Sequence, residues 1–177
     1  MSTRADGKRK SHVRPPPRVT PLIQIKHKAT GEVLYLVDAR DLMGADLCGA
    51  PLCGANLSRL NLTRANLDGA DLQEADLAFS MFYNASLAEA NLGRAELRGT
   101  ALNSANLTGA DLSCANFYHT SLFHCDLTRA KLNGARLTGA DFTGAVLAEA
   151  DLTDVIFDEQ TRWPDGFDPH EHGAVEV

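Results

Sequence analysis

The feature that most constrains this chain is a five-residue period in its apolar residues. From Leu42 to Phe157 every fifth residue is Leu or Phe, at 24 positions without an exception. The residue two positions earlier is Ala in 17 of these 24 units, and the residue between is most often Asp or Asn. The repeating unit is therefore Ala-(Asp/Asn)-Leu-X-X, where X is a variable position.

Neither regular secondary structure accommodates a period of five. On an α-helix five residues rotate a side chain by about 140°, which scatters the leucines around the axis, and on a straight strand an odd period alternates faces. The pattern is explained if the chain turns a corner in every unit, so that Ala and Leu point inward and the Asp or Asn between them points outward. Gly occupies nine of the 24 final X positions, which favours a corner there because glycine accepts the dihedral angles of tight turns.

The number of units in one coil follows from the exceptions to the pattern. Seven predicted inward positions are not Ala: Arg40, Leu60, Ser80, Thr100, Thr120, Cys125 and Val155. Five of them are spaced by 20 residues, so four units make one coil, with a partial first unit at Arg40. The 24 units then predict about six square coils, which form a prism roughly 25–30 Å long at a strand spacing of ~4.8 Å.

An unbroken series of units such as Ala45-Asp46-Leu47 and Ala65-Asn66-Leu67 resembles the pentapeptide-repeat proteins. The resemblance covers residues 40–159 and implies an all-β fold, the right-handed quadrilateral β-helix of that family. The handedness comes from the resemblance alone, because the spacing does not supply it. Some members of the family protect topoisomerases, which implies one candidate function for this chain.

The flanks of the repeat predict four regions. Residues 1–20 read as a disordered basic tail with Pro15-Pro16-Pro17, and residues 21–39 as an N-terminal β-hairpin cap. Residues 40–159 form the β-helix, and residues 160–177 a C-terminal cap and tail, because a solenoid must cover its open ends. Trp163 and Phe167 follow the last repeat, where they serve either as a lid or as the contact of a homodimer joined through this end.

Charge and cysteine content indicate the compartment. The net charge of −6 is unevenly spread, since residues 1–28 hold eight Lys or Arg against one Asp. The sequence has no signal-like or membrane-spanning apolar run, so we expect neither secretion nor a membrane. The four cysteines lack CxxC spacing and the density of a disulfide scaffold. We therefore interpret them as reduced thiols in a cytoplasmic protein.

The pattern leaves little room for catalysis. Ala, Leu and Phe fill the interior, so we expect no cavity for a small-molecule substrate, no cofactor, no catalytic residue and no enzymatic activity. Cys114, His119, His124 and Cys125 cluster in sequence as zinc ligands do, but the fold directs Cys125 inward and places the two histidines at different corners. We therefore predict no metal site.

Bulky side chains among the outward positions gather on one face and its corners. This candidate partner-binding set comprises Phe79, Met81, Tyr83, Tyr118, His119, Phe123 and His124. Exposed aromatic residues often mark interaction surfaces, although corner aromatics can also merely shield their neighbours. The sequence therefore predicts a non-enzymatic protein-interaction or scaffolding module whose protein partner it does not identify.

The alternative function, implied by the family resemblance, is a DNA mimic that binds and protects a topoisomerase such as gyrase. Its acidic columns would imitate phosphate spacing. Seven basic residues between positions 42 and 157 interrupt such columns, which gives this alternative limited support. We do not expect the acidic body to bind nucleic acid directly.

Overall fold

The computed structural model describes residues 22–177, which form a four-sided β-helix. Parallel β-bridges join residues 20 apart, and each of four ladders passes through six residues, as in Asp46, Asn66, Ser86, Asn106, Asp126 and Val146. Leu67 donates its backbone N–H to the Ser86 carbonyl at 2.7 Å, and Ser86 donates to the Ala65 carbonyl at 3.0 Å. The four-unit coil inferred from the exceptions is therefore the structural repeat.

The inward columns of Ala and Leu or Phe form one continuous apolar core along the prism axis. Phe82, Phe117 and Phe142 are fully buried, as are most repeat leucines. Burying a Leu or Phe side chain stabilises a fold by about 1.5–3 kcal/mol, so this column is the main source of stability. The large Phe side chains occupy Leu positions, where the interior has room for a long side chain.

Except at Leu60, each corner of the repeat is a four-residue turn closed by a hydrogen bond, as from the Ala65 N–H to the Leu62 carbonyl at 3.0 Å. The residue before the next Ala has a positive φ at the nine repeat glycines and also at 14 other residues, including Arg64 with a φ of 61°. A left-handed conformation costs a non-glycine residue about 1–2 kcal/mol. Hydrogen bonds to the neighbouring coils hold the backbone in this conformation nonetheless.

The Asp or Asn of each unit has a local structural role. Its side-chain oxygen accepts a hydrogen bond from the backbone N–H two residues later, as in Thr63 N–H to Asn61 at 3.0 Å and Thr128 N–H to Asp126 at 2.9 Å. Short polar side chains make such bonds readily and so stabilise turns. Asp or Asn therefore recurs at this position because its side-chain hydrogen bond stabilises the turn that follows.

Two residues predicted to point inward are instead exposed, namely Arg40 and Leu60, of which Leu60 is 37 % exposed. The buried inward positions hold Ala or side chains no larger than Thr or Val, so a Leu there would overpack the core. The hydroxyl of Ser80 takes its place: it donates to the Leu57 carbonyl at 2.6 Å and accepts from the Leu60 N–H at 3.3 Å. It thereby replaces the turn hydrogen bond found in the other units.

The other polar groups of the interior bond to backbone carbonyls one coil earlier. Thr100 and Thr120 donate to the carbonyls of Leu77 and Leu97, at 2.8 and 2.6 Å. The buried thiol of Cys125 donates to the Leu102 carbonyl at 2.8 Å, and burial raises the pKa of this thiol to about 12. These groups are thus satisfied and structural.

At the N-terminal end, strands β1 (Leu22–His27) and β2 (Val33–Asp38) form an antiparallel hairpin. Strand β1 also pairs antiparallel with β3 (Ala55–Asn56) of the first coil. The hairpin thus pairs with one of the four sides of the first coil. The predicted disordered tail, residues 1–20, lies outside the described residues.

At the C-terminal end the ladder spacing changes from 20 to 21 residues, because Asp141 pairs with Arg162. One additional residue lies in this corner, and Thr161 takes the inward position with a hydrogen bond to the Leu137 carbonyl at 3.1 Å. A 3-10 turn, His170–His172, then leads to β5 (Val175–Glu176), which pairs parallel with β4 (Ile156–Phe157). Among residues 22–177 no helix is long and apolar enough to cross a membrane.

Candidate functional site

Within the repeat, most of the exposed large hydrophobic residues lie on one side of the prism, and we call this side the aromatic face. It consists of the outward side chains of four stacked segments: residues 59–64, 79–84, 99–104 and 119–124. The ladder through Asn61, Met81, Ala101 and Ser121 runs along its middle. The face is therefore built from rows about 4.8 Å apart on a hydrogen-bonded backbone.

The structure places six of the seven predicted residues in these four segments, and Tyr118 directly precedes the last of them. Phe79, Met81 and Tyr83 lie in one row, with 48 %, 39 % and 38 % of their surfaces exposed. Phe123 lies two coils further along in the column of Tyr83, and Leu60 lies one coil before the Phe79 row. Leu60, which the sequence pattern predicted to lie in the core, therefore belongs to this surface.

Tyr118, His119 and His124 lie at the corners of the face, as Phe79 also does. Tyr118 and His119 are in edge contact with ring centroids 4.3 Å apart, and Phe123 and His124 with centroids 4.0 Å apart. The imidazole of His119 lies against the backbone of Gly139, and that of His124 against Gly144. The corner rings thus shield the next coil on one side while their other side remains exposed.

The charge of the aromatic face differs from that of the rest of the prism. The four segments that build it contain no Asp or Glu, but they contain Arg59, Arg64 and two histidines. The guanidinium carbons of Arg59 and Arg98 lie 5.8 and 5.3 Å from the centroid of the Phe79 ring. At this distance an Arg is attracted to the ring quadrupole. The face therefore combines apolar area with positive charge.

A cleft of about 390 Å³ adjoins the corner at Tyr118, and its lining residues are Arg98, Asn116, Tyr118, Arg136 and Thr138. The nearby carboxylate of Glu96 accepts hydrogen bonds from the Asn116 amide at 3.0 Å and from the Arg98 backbone N–H at 3.1 Å. Within residues 22–177 neither guanidinium of this cleft has a carboxylate within 4.0 Å.

Trp163 and Phe167 lie in an aromatic stack over the last coil. The Trp163 ring is 5.2 Å from the buried Phe142 ring and 5.4 Å from Phe167, and Phe167 in turn stacks on His172 at 4.6 Å. The edge of Trp163 also meets Phe157 at 5.4 Å. Both residues are partly buried and pack against the hydrophobic core.

The cysteine and histidine residues that cluster in sequence do not converge in space. Cys125 is buried in the core, whereas Cys114 is exposed at another corner, with its sulfur near Gly134. In the part of the chain that the structure describes, no three His, Cys, Asp or Glu side chains are arranged to hold a metal ion.

The repeat is matched by the family model for pentapeptide repeats, with eight copies over residues 41–78, 85–122 and 120–158. This match covers more than half of the chain. The chain belongs to the pentapeptide repeat family. The predicted family and the predicted all-β fold, a right-handed quadrilateral β-helix, are thereby confirmed.

Solved pentapeptide repeat proteins resemble this chain, whereas no curated protein matches it. The protein alr5209 from Nostoc PCC 7120 is 32 % identical over 66 % of this chain and 84 % of its own, with a TM-score of 0.31. HetL, which is involved in the regulation of heterocyst differentiation in Nostoc, is 28 % identical over 75 % of this chain and 79 % of its own, with a TM-score of 0.25.

QnrB1, a plasmid-mediated fluoroquinolone resistance protein, is 19 % identical over 76 % of this chain and 81 % of its own, with a TM-score of 0.36. All three TM-scores lie below 0.5. The likeness therefore concerns the repeat and assigns no surface or partner to this chain.

Proposed function

We propose that this pentapeptide repeat protein is a non-enzymatic protein-interaction module that binds a protein partner through its aromatic face. The observation that carries the proposal is the exposed row of Phe79, Met81 and Tyr83, with Phe123 beside it. Aromatic and Met side chains are enriched in the energetically dominant parts of protein interfaces. The ladder hydrogen bonds fix the backbone beneath them, which lowers the entropy cost of binding.

Shielding of the next coil by the corner rings supplies a competing explanation for some of these residues. Phe79, His119 and His124 do cover a glycine of the following coil. Shielding does not account for the exposed Leu60, nor for the absence of Asp and Glu from the four segments of the face. These two features support an interaction surface.

The DNA-mimic alternative has less support from the charges. In one ladder Lys131 lies between Asp111 and Asp151, and in another Arg136 follows Glu96 and Asn116. A stripe of carboxylates at phosphate spacing would need these positions to be acidic or neutral. A gyrase supercoiling assay tests this alternative, which predicts protection or inhibition at micromolar protein.

Two further proposals concern the compartment and the C-terminal end. We propose a reducing compartment, the cytoplasm, because Cys48, Cys53 and Cys114 are exposed free thiols. We also propose that Trp163 and Phe167 act as a lid and not as a dimer contact, because each ring already stacks on side chains of its own chain.

Affinity capture with matched variants tests the interaction proposal. The Tyr83→Ser/Tyr118→Ser/Phe123→Ser variant removes rings from the aromatic face and its corner, whereas Gln73→Ser/Asn133→Ser/Thr153→Ser changes the opposite side of the prism. We expect wild type and the control variant to capture the same proteins from a lysate of the source cells, and the aromatic variant to lose at least one of them. Identical sets from all three proteins would reject the proposal.

A further inference from the structure

The cleft between Arg98 and Arg136 carries a more specific inference, which rests on the proposed function. We infer that it binds a carboxylate of an acidic segment in the protein partner, while apolar side chains of that segment pack on the adjoining aromatic face. The partner segment would be short, acidic and apolar, and the cleft would determine its charge preference.

The first argument is the state of the two guanidinium groups. Within residues 22–177 the ion pairs between Arg and carboxylate side chains are Arg94 with Glu74 and Arg162 with Asp141. Arg98 and Arg136 form none with these residues, although both line the same cleft. An Arg fork is suited to bind carboxylates through two parallel hydrogen bonds.

The second argument is the composition of the cleft around these two groups. Tyr118 and Thr138 contribute hydroxyl groups that can donate to an anion. The carboxylate of Glu96, on the same side of the prism, accepts hydrogen bonds from the Asn116 amide and the Arg98 backbone N–H. Because this carboxylate is bonded elsewhere and neither guanidinium is ion-paired within residues 22–177, the hydrogen-bonding ends of both arginines are available.

The third argument links the cleft to the aromatic face. The Arg98 guanidinium lies 5.3 Å from the centre of the Phe79 ring, and Tyr118 lies at the corner between cleft and face. A bound segment can thus place a carboxylate in the cleft and an apolar side chain on the neighbouring rings. The four segments of the face add no carboxylate that would repel it.

The surrounding charge favours a protein segment over a nucleic acid. Residues 22–177 hold 11 basic and 22 acidic side chains, so the other sides of the prism are strongly acidic. A phosphate backbone extends beyond the face and meets this negative potential, whereas a short acidic segment ends within the four rows, which span roughly 15–20 Å. Opposite charges at such a surface mainly raise the association rate and the specificity.

Selection from an unbiased peptide library tests the inference. Random twelve-residue peptides displayed on phage are selected on the full chain, and the most enriched sequence is synthesised with a fluorescein label. We expect enriched peptides with more Asp and Glu than Lys and Arg and with at least one aromatic or large aliphatic residue. Fluorescence anisotropy should show binding that weakens several-fold between 50 and 300 mM NaCl, about as expected for a charged interface.

Two charge-matched variants locate the site. Arg98→Glu/Arg136→Glu should weaken binding of the labelled peptide about ten-fold or more. Arg129→Glu/Lys131→Glu changes the net charge by the same amount on the side of the prism opposite the aromatic face, and it should alter binding less than about two-fold. Circular dichroism shows whether both variants retain the fold, which we expect because all four side chains are exposed.

Each contrary outcome has a definite meaning. Neutral or basic peptides whose binding is lost in the Tyr83→Ser/Tyr118→Ser/Phe123→Ser variant would overturn this inference and leave the proposed function in place. Selected peptides that are insensitive to that variant and to the cleft variant, or a selection that enriches nothing, would count against both. If a labelled single-stranded dT20 bound more tightly than any peptide, and if the cleft variant lost that binding, the site would be assigned to nucleic acid.

Discussion

The ring of Phe79 lies over the backbone of Gly99, the corner residue one coil further along the prism. A Cβ atom at Gly99 would be only 2.7 Å from the Phe79 ring, and Gly99 itself has a φ of +65°. The side chain at one corner and the glycine at the next therefore form a packed pair, in which the small residue makes room for the large one.

This pairing predicts that Gly99→Ala destabilises the fold more than Gly69→Ala. Gly69 has a φ of +64° with nothing within 4 Å of its Cβ site, so its substitution measures the backbone strain alone, about 1 kcal/mol. Gly99→Ala adds the displacement of the Phe79 ring and should lower Tm by a few degrees more. Equal Tm values for the two variants in thermal circular dichroism would contradict the packing.

The hydroxyl of Ser80 predicts an unusual coupling with Leu60. Ser80→Ala leaves the Leu57 carbonyl and the Leu60 N–H without their partner, which should cost about 2 kcal/mol. Thr100→Val should cost less, about 1 kcal/mol, because the Leu77 carbonyl still accepts from the Ser80 N–H.

Leu60→Ala supplies the second arm of this test. An Ala at position 60 can point inward and restore the ordinary turn hydrogen bond, so the double variant Leu60→Ala/Ser80→Ala should be more stable than Ser80→Ala. The four proteins of the cycle are compared by urea unfolding. Strictly additive effects would show that the hydroxyl does not replace the turn hydrogen bond.

The Trp163 stack predicts a change in stability without a change in oligomeric state. Because Trp163 contacts the rings of Phe142, Phe157 and Phe167, Trp163→Ala should destabilise the fold by about 3 kcal/mol. Light scattering should give the same molecular mass for wild type and variant. A dimer that dissociates on substitution, with little loss of Tm, would instead identify this end as a dimer contact.

We expect the thermal stability of the fold to fall at low pH, because hydrogen-bonded aspartates stabilise its corners. Side-chain and backbone hydrogen bonds from Thr128 lower the pKa of Asp126 below its ordinary value of 3.8, and those from Thr153 do the same for Asp151. A lowered pKa in the folded state gives stability that is present above the ordinary pKa and is lost as the pH falls through the folded pKa. These groups therefore leave Tm unchanged from pH 7 to about pH 5 and lower it below about pH 4.

A double variant distinguishes the contribution of Asp126 and Asp151 from the general loss of stability in acid. Asp126→Asn/Asp151→Asn keeps the acceptor oxygens but removes the two titrations. Its Tm should fall less between pH 4 and pH 2 than that of the wild type. Parallel Tm curves for the two proteins would mean that the hydrogen-bonded carboxylates are not responsible for the acid sensitivity.

The fold could be predicted because its determinant is local and periodic. Leu positions spaced by five and exceptions spaced by 20 fix the inward columns without knowledge of any long-range contact. The predicted inward orientation of Leu60 was wrong. The pattern assigns an orientation by position, whereas the volume of the interior decides whether a Leu side chain fits there. The additional residue before Thr161 was missed because the Leu period ends at Phe157 and no later position reports the register.

The candidate site was partly predictable for the same reason. The 20-residue period places Phe79, Met81, Tyr83 and Phe123 on one face, as the structure does. The cleft at Arg98 and Arg136 was not found, because these two residues lie in different columns of the repeat and the sequence does not show how long side chains lean between coils. The 20-residue period does place Arg98 and Arg136 on one side of the prism two coils apart, and this is the sequence signal that could have located the cleft.

Site-specific photo-crosslinking tests most directly whether the aromatic face binds a protein. p-Benzoylphenylalanine is incorporated at Tyr83, on the face, or at Gln73, on the opposite side, and the full chain is irradiated in the cells that produce it. We predict a discrete crosslinked protein from position 83 that is absent from position 73 and disappears with Phe79→Ser/Phe123→Ser. Crosslinks from position 73 alone, or the same crosslinked proteins from both positions, would contradict binding through this face.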